Sequence, residues 1–224
     1  LLRGAVRALG QAGVRDEASL VEWFKRTPGP EPAAAEAPAR TLGEEILSAE
    51  RVCFQYALTG FGLEGVSLSI RKGERVALLG ANGSGKSTLL ALLAGVLKPR
   101  EGLIRGSARR GYTFQNPDAM LIRESVLDEA AFGPRHALRL KRLEAEAKAR
   151  AALVALGLSD RPREAPLALS RGQRLRLAAA SVLSMGVEAL LLDEPTTGQD
   201  RVHIERLLHA VGESCASVVF STHD

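Results

Sequence analysis

The distribution of apolar positions divides the chain into two unlike parts. Up to residue 26, Val6, Leu9, Val14, Leu20, Val21, Trp23 and Phe24 recur at partly helical spacing, which predicts a helical piece over 1–26. Prolines then recur every few residues (Pro28, Pro30, Pro32, Pro38) within an Ala- and Glu-rich stretch. That spacing blocks both helix and central strand, so 27–45 reads as a linker. Beyond it the period shortens. Val52, Phe54 and Tyr56 alternate along the chain, as do Val66, Leu68 and Ile70, each predicting a half-buried strand. Arg75–Leu79 is a compact apolar strand that runs into a glycine loop, followed by an apolar helix from Lys86 to about Gly95. Residues 123–166, rich in Ala, Leu, Glu and Arg, read as helical with breaks at Gly133-Pro134 and Gly157. Ala189–Leu192 and Val218–Phe220 are fully apolar strands. Strands alternating with helices predict a parallel sheet covered on both faces.

Composition narrows this picture little. A chain of 224 residues, 46% hydrophobic, holds one core, or one core and a small appendage. With 30 basic against 26 acidic side chains, the net charge of +4 permits an acidic partner but does not argue for nucleic acid. Cys53 and Cys215 lie far apart with no CxxC spacing, which reads as two reduced thiols in a cytosolic protein. No apolar run approaches the ~20 residues of a membrane span. The longest, Leu89–Leu97, sits directly behind the glycine loop, and Leu1–Arg15 has no signal-peptide core. Any membrane role must therefore come through a partner.

Candidate chemistry begins at residues 80–87, GANGSGKS, which fits G-x-x-x-x-G-K-[ST] with a strand before it and a helix after it. Its glycines let consecutive N–H groups turn inward on phosphate oxygens, and the helix start adds a positive dipole end. Gly80, Asn82, Gly83, Ser84, Gly85, Lys86, Ser87 and Thr88 are the expected ATP contacts. Lys86 supplies a mobile charge for the β- and γ-phosphates, and the Ser87 hydroxyl a ligand for Mg2+. The strand Ala189–Leu192 ends in Asp193 and Glu194, two carboxylates at the carboxyl end where open α/β sheets bind ligands. Asp193 can hold Mg2+, and Glu194 can orient or deprotonate the attacking water.

Between these lies Leu169–Gln173, LSRGQ. It resembles the LSGGQ signature of the ATP-binding-cassette family, with Arg171 in place of the first glycine. The segment also reads as a helix start capped by Ser170, and the two readings are compatible. The resemblance covers roughly residues 46–224. It implies a P-loop NTPase core of the α/β class with a parallel sheet, a small antiparallel β subdomain, and an inserted α-helical subdomain at about 120–180. It implies too that Ser170, Arg171, Gly172 and Gln173 grip the γ-phosphate of ATP bound to a second cassette, so that two nucleotides are sandwiched in a dimer. Gln115 resembles the family glutamine that senses Mg2+. Asp200, in PTTGQD, resembles the residue that reaches across the dimer, and His223, in STHD, the switch histidine at the γ-phosphate. Tyr56 sits where the family carries an aromatic that stacks on adenine, although it also continues the stripe of Val52 and Phe54.

Phe114–Ile122 (FQNPDAMLI) and Ser125–Pro134 (SVLDEAAFGP) are similar to segments of energy-coupling-factor transporter ATPases, importers of vitamins and metal ions. This implies an integral membrane transporter subunit as partner and a peripheral position on the cytoplasmic face of the membrane. Met120, Leu121, Ile122, Val126 and Leu127 read either as an apolar groove for a helix of that partner or as core. Residues 1–26 resemble the tail of a preceding cassette. Together with the chain's start without Met and its end one residue after His223, this is the expectation for a fragment of a longer, fused protein. Two other functions compete. A soluble cassette acting on nucleic acid or ribosomes is motivated by Arg135, Arg139, Lys141, Arg142, Arg171, Arg174 and Arg176. A hydrolytically weak half of an asymmetric pair is motivated by Arg171 and by the expected missing C-terminal tail.

Overall fold

A computed structural model describes residues 43–195 and 217–222, with Leu207 and Val211. The expected helical piece at 1–26, most of the linker, Asp200 and His223 lie outside the described residues.

The described strands form two sheets. The antiparallel one joins β1 (Glu45–Gln55) to β2 (Gly62–Arg71) on one side and β4 (Glu101–Arg105) on the other. The parallel one runs in the order β3-β7-β6-β5, with β3 at Arg75–Leu79, β5 at Arg110–Thr113, β6 at Ala189–Leu192 and β7 at Ser217–Thr222. Because these four are parallel, their carboxyl ends share one edge of the sheet, and the candidate residues leave from that edge.

The parallel sheet is buried on both faces, so its central strands are apolar at every position rather than alternating. On β6 and β7 the two-residue period still decides which core each side chain joins. Leu190, Leu192, Val218 and Phe220 face the helices of the inserted segment, while Ala189, Leu191 and Val219 face the antiparallel sheet and helix α1 (Lys86–Ala94). Helix α1 lies within this second core and is buried at every position but Ser87 and the partly buried Ala94, so it lacks the polar stripe of a surface helix. Gly95 ends it in the left-handed region (φ 79°), and the N–H of Val96 closes on the carbonyl of Ala91 at 2.9 Å.

Between β5 and β6 the chain forms α2 (Val126–His136), α3 (Arg142–Ala155) and α4 (Arg171–Leu183). The core they share is rich in small side chains: Ala130, Ala145, Ala149 and Ala178 are fully buried in it beside Leu153 and Leu177.

One local reading is revised, two strands are added, and one open choice is narrowed. Gly133-Pro134 does not break the helix. Pro134 cannot donate to the carbonyl of Ala130, but the Ser184 hydroxyl, shared with the Ser181 carbonyl, reaches it at 2.8 Å, and α2 runs on to His136. Strands β4 and β5 carry no hydrophobic signal of their own. β4 is a largely exposed edge, and β5 includes Gly111, where a β-carbon would lie 2.1 Å from the Val182 Cγ1 of α4, so the close approach of the helix excludes a side chain. Among the five groove candidates, Leu121 and Val126 are core, Met120 and Leu127 pack partly against it, and Ile122 alone is largely exposed.

Candidate functional site

The loop between β3 and α1 depends on backbone shapes that suit glycine. Gly80 has φ 154°, and a β-carbon there would meet Ser84 Oγ at 2.9 Å. Gly85, at the N-cap of α1, has φ 96° and supplies no capping side chain, so the first-turn N–H groups have no side-chain acceptor. Ser84 Oγ is buried without a hydrogen-bond partner among the described residues. Lys86 is buried, and its ammonium donates to the carbonyls of Gly80 and, at 3.1 Å, Ala81. The loop thus concentrates donors and positive charge in the form that binds a polyphosphate.

The acidic end of β6 is joined to this loop. Ser87 Oγ donates to Asp193 Oδ1 at 2.9 Å, so the helix behind the loop and the strand end hold one another. The Ser221 hydroxyl of β7 donates to the same oxygen at 2.7 Å and accepts the backbone N–H of Glu194 at 2.8 Å. The other carboxylate oxygen, Oδ2, accepts from the Tyr112 hydroxyl at 3.2 Å. Burial, with the Asp193 carboxylate beside it, pushes the Tyr112 phenol above its ordinary pKa, so it stays a donor. Glu194 adopts φ 47°, an uncommon conformation for a residue with a side chain. The Gln115 side-chain amide donates to Glu194 Oε2. Lys86, Ser87, Gln115, Asp193 and Glu194 therefore meet at one edge of the sheet.

Residues 63–197 match the family model described as ABC transporter. The chain belongs to this family. It is 45% identical over 194 residues to a Methanosarcina acetivorans protein described as an ABC transporter ATP-binding protein, covering 81% of this chain and 30% of that one. It is 36% identical to the energy-coupling factor transporter ATP-binding protein EcfA of Methanocaldococcus jannaschii, over 80% of this chain and 70% of that one. Among solved structures it resembles cbiO1 of Clostridium perfringens, described as part of the ABC transporter complex cbiONQ. That likeness has a TM-score of 0.69 and 32% identity, over 80% of this chain and 79% of the other. The chain spans about a third of the length of the first curated relatives it matches (30% and 33%). The fold is that of the family: a P-loop core with its parallel sheet, an antiparallel β portion and an inserted helical portion.

Among the described residues, the signature segment and Tyr56 make no hydrogen bond to Lys86, Ser87, Gln115, Asp193 or Glu194, and Tyr56 meets the loop at Thr88. Ser170 caps α4 by accepting the N–H of Gln173 at 3.3 Å, and Gln173 Oε1 accepts the N–H of Ser170 at 2.8 Å, so these hydrogen bonds are spent within the helix's own first turn. Arg171 is exposed in that turn, next to Gly172. Tyr56 follows the last residue of β1 and is 38% exposed. Its hydroxyl lies 3.4 Å from Thr88 Oγ1, its ring stands edge-on to Phe54, and it lines a shallow open pocket with Ala57, Leu58, Thr59 and Phe61. The sequence reading missed Tyr112, Ser221 as a hydrogen-bonding partner, and the pairing of Arg174 Nε with Asp118 Oδ1 at 2.6 Å, which ties α4 to the 3₁₀ turn Pro117–Ala119. Strand register is the signal for the first two: pairing Thr113 with Leu192 and Leu192 with Phe220 sets both residues beside Asp193.

No helix among the described residues is long and apolar enough to cross a membrane.

Proposed function

We propose that this cassette binds Mg-ATP on the loop Gly80–Ser87, hydrolyses it with Glu194, and energises a membrane transporter from the cytoplasmic face of the membrane. The observation that carries the reading is the Ser87–Asp193 hydrogen bond, which joins the phosphate loop to the acidic strand end. Gly80, Asn82, Gly83, Ser84, Gly85, Lys86, Ser87 and Thr88 form the phosphate cradle, and the unpartnered Ser84 hydroxyl and uncapped first turn of α1 fit an anion there. Ser87 and Asp193, with Gln115 nearby, fit a magnesium ion: they offer hard oxygen donors, and Mg2+ is held in such sites by one or two carboxylates and the substrate's phosphates. When bound, the ion neutralises charge on the phosphates. Glu194 takes the proton of the attacking water, with its carboxylate oriented by the Gln115 amide. Lys86 stabilises charge that develops on the transferred phosphoryl group. Tyr56 takes adenine on its exposed face.

Ser170, Arg171, Gly172 and Gln173 serve the nucleotide of a second cassette, with Asp200 and His223 completing the composite site. The likeness to EcfA and cbiO1 supports an energy-coupling-factor importer of a vitamin or metal ion, acting with an integral membrane subunit. Lys86→Ala is expected to lower turnover roughly 100-fold or more, and unchanged turnover ends the reading. Glu194→Gln is expected to accumulate an ATP-bound dimer in gel filtration, and normal hydrolysis by that variant removes Glu194 as the base.

A further inference from the structure

The end of β5 holds both acidic residues. Register pairs Tyr112 with Leu191 and Thr113 with Leu192, which sets the residues that follow beside Asp193 and Glu194. From this one stretch the Tyr112 hydroxyl donates to Asp193 Oδ2 at 3.2 Å and the Gln115 amide donates to Glu194 Oε2. Asp193 Oδ1 is taken by Ser87 and Ser221, at 2.9 and 2.7 Å. A carboxylate held at one oxygen can still tilt about its Cβ–Cγ bond, whereas donors on both oxygens fix its plane. Tyr112 supplies the donor on Oδ2, and its ring stands edge-on to Phe114 at 5.0 Å.

We propose that Tyr112 is a positioning residue that sets the orientation of Asp193 toward magnesium, so that one strand end, through Tyr112 and Gln115, grips both carboxylates of the site. This rests on the reading of Asp193 as a magnesium-holding residue. Groups that orient a metal-holding side chain typically change metal affinity by roughly 10–100-fold when removed, and Tyr112→Phe removes one donor while keeping the ring.

The test is magnesium dependence of nucleotide binding, measured on the full chain with a fluorescent ATP analogue. Tyr112→Phe should raise the half-saturating Mg2+ concentration roughly tenfold while leaving affinity without Mg2+ unchanged. Asp193→Asn should shift it at least as far, and the double variant no further than Asp193→Asn alone. A wild-type midpoint in Tyr112→Phe beside a shifted Asp193→Asn overturns the inference. An equal loss of affinity with and without Mg2+ also overturns it, because it marks a packing role. If binding by the wild-type chain does not respond to Mg2+, the reading of Asp193 fails first and takes this inference with it.

Discussion

Replacing Ser221 with Ala removes one oxygen from the most interior part of the site. The hydroxyl is fully buried, donates to Asp193 Oδ1 at 2.7 Å and accepts the Glu194 N–H at 2.8 Å. A hydrogen bond to a charged group contributes about 1.5–3 kcal/mol, and a buried donor left unsatisfied costs about 1–3 kcal/mol. Asp193 keeps its bonds to Ser87 and Tyr112, which places the expected loss toward the lower end of the summed range, at about 3 kcal/mol. Ser217→Ala, at the other end of β7, is the comparator. Its hydroxyl donates to the Arg71 carbonyl at 3.0 Å and accepts from the Gly73 N–H at 3.1 Å, both uncharged partners, so it should cost about 1–2 kcal/mol. Urea unfolding followed by circular dichroism reads both as midpoint shifts. ATP turnover should fall only in Ser221→Ala, since only that hydroxyl holds the backbone of Glu194. A Ser221→Ala chain within about 1 kcal/mol of wild type, or costing no more than Ser217→Ala, would refute the charge-assisted account.

Other outcomes follow from the same geometry. Ser184→Ala strands the Ala130 carbonyl that Pro134 cannot serve, and thermal unfolding should show a loss of about 1–3 kcal/mol, rescued in part by adding Pro134→Ala. The raised Tyr112 pKa means that the folded state keeps the phenolic proton longer than the unfolded chain. Its stabilisation is therefore complete below pH ~10 and declines as pH rises further, so wild type should lose stability relative to Tyr112→Phe only above pH ~10. A difference that stays constant to higher pH would count against the buried contact with Asp193. For Asp118 and Arg174, a double-mutant cycle on unfolding should return about 0.5–1 kcal/mol for this partly exposed pair, and zero coupling would show that the contact ties nothing together.

Much of the site is legible as sequence because its parts are local. The loop Gly80–Ser87 carries its conformation in its own glycines, Ser170 and Gln173 cap a helix across three residues, and Ala189–Leu192 announces a buried strand that ends in two carboxylates. Tyr112 gives no such signal. It lies in a four-residue strand containing Arg110 and Gly111, whose place beside β6 follows from the packing of α4 over Gly111 and not from hydrophobic periodicity. Ser221 has the same difficulty. In the sequence it is a hydroxyl at the end of an apolar strand, and only the parallel register of β6 with β7 turns it toward Asp193. The continuation of α2 through Pro134 was hidden for a like reason, since the donor that replaces the lost N–H comes from Ser184, 50 residues further on (184 − 134).

The sequence by itself determined which groups this cassette carries: a glycine loop with its lysine and serine, a strand ending in two carboxylates, and a helix capped by the LSRGQ segment. Each is specified by side chains within a few residues of one another, where backbone geometry alone decides who meets whom. The tertiary structure decided which hydroxyls hold Asp193, what holds the backbone of Glu194, and that Gln115 and Tyr112 act from one strand end. The contacts of Tyr112 and Ser221 cross between strands, and a one-residue change of register would turn both side chains to the opposite face of the sheet.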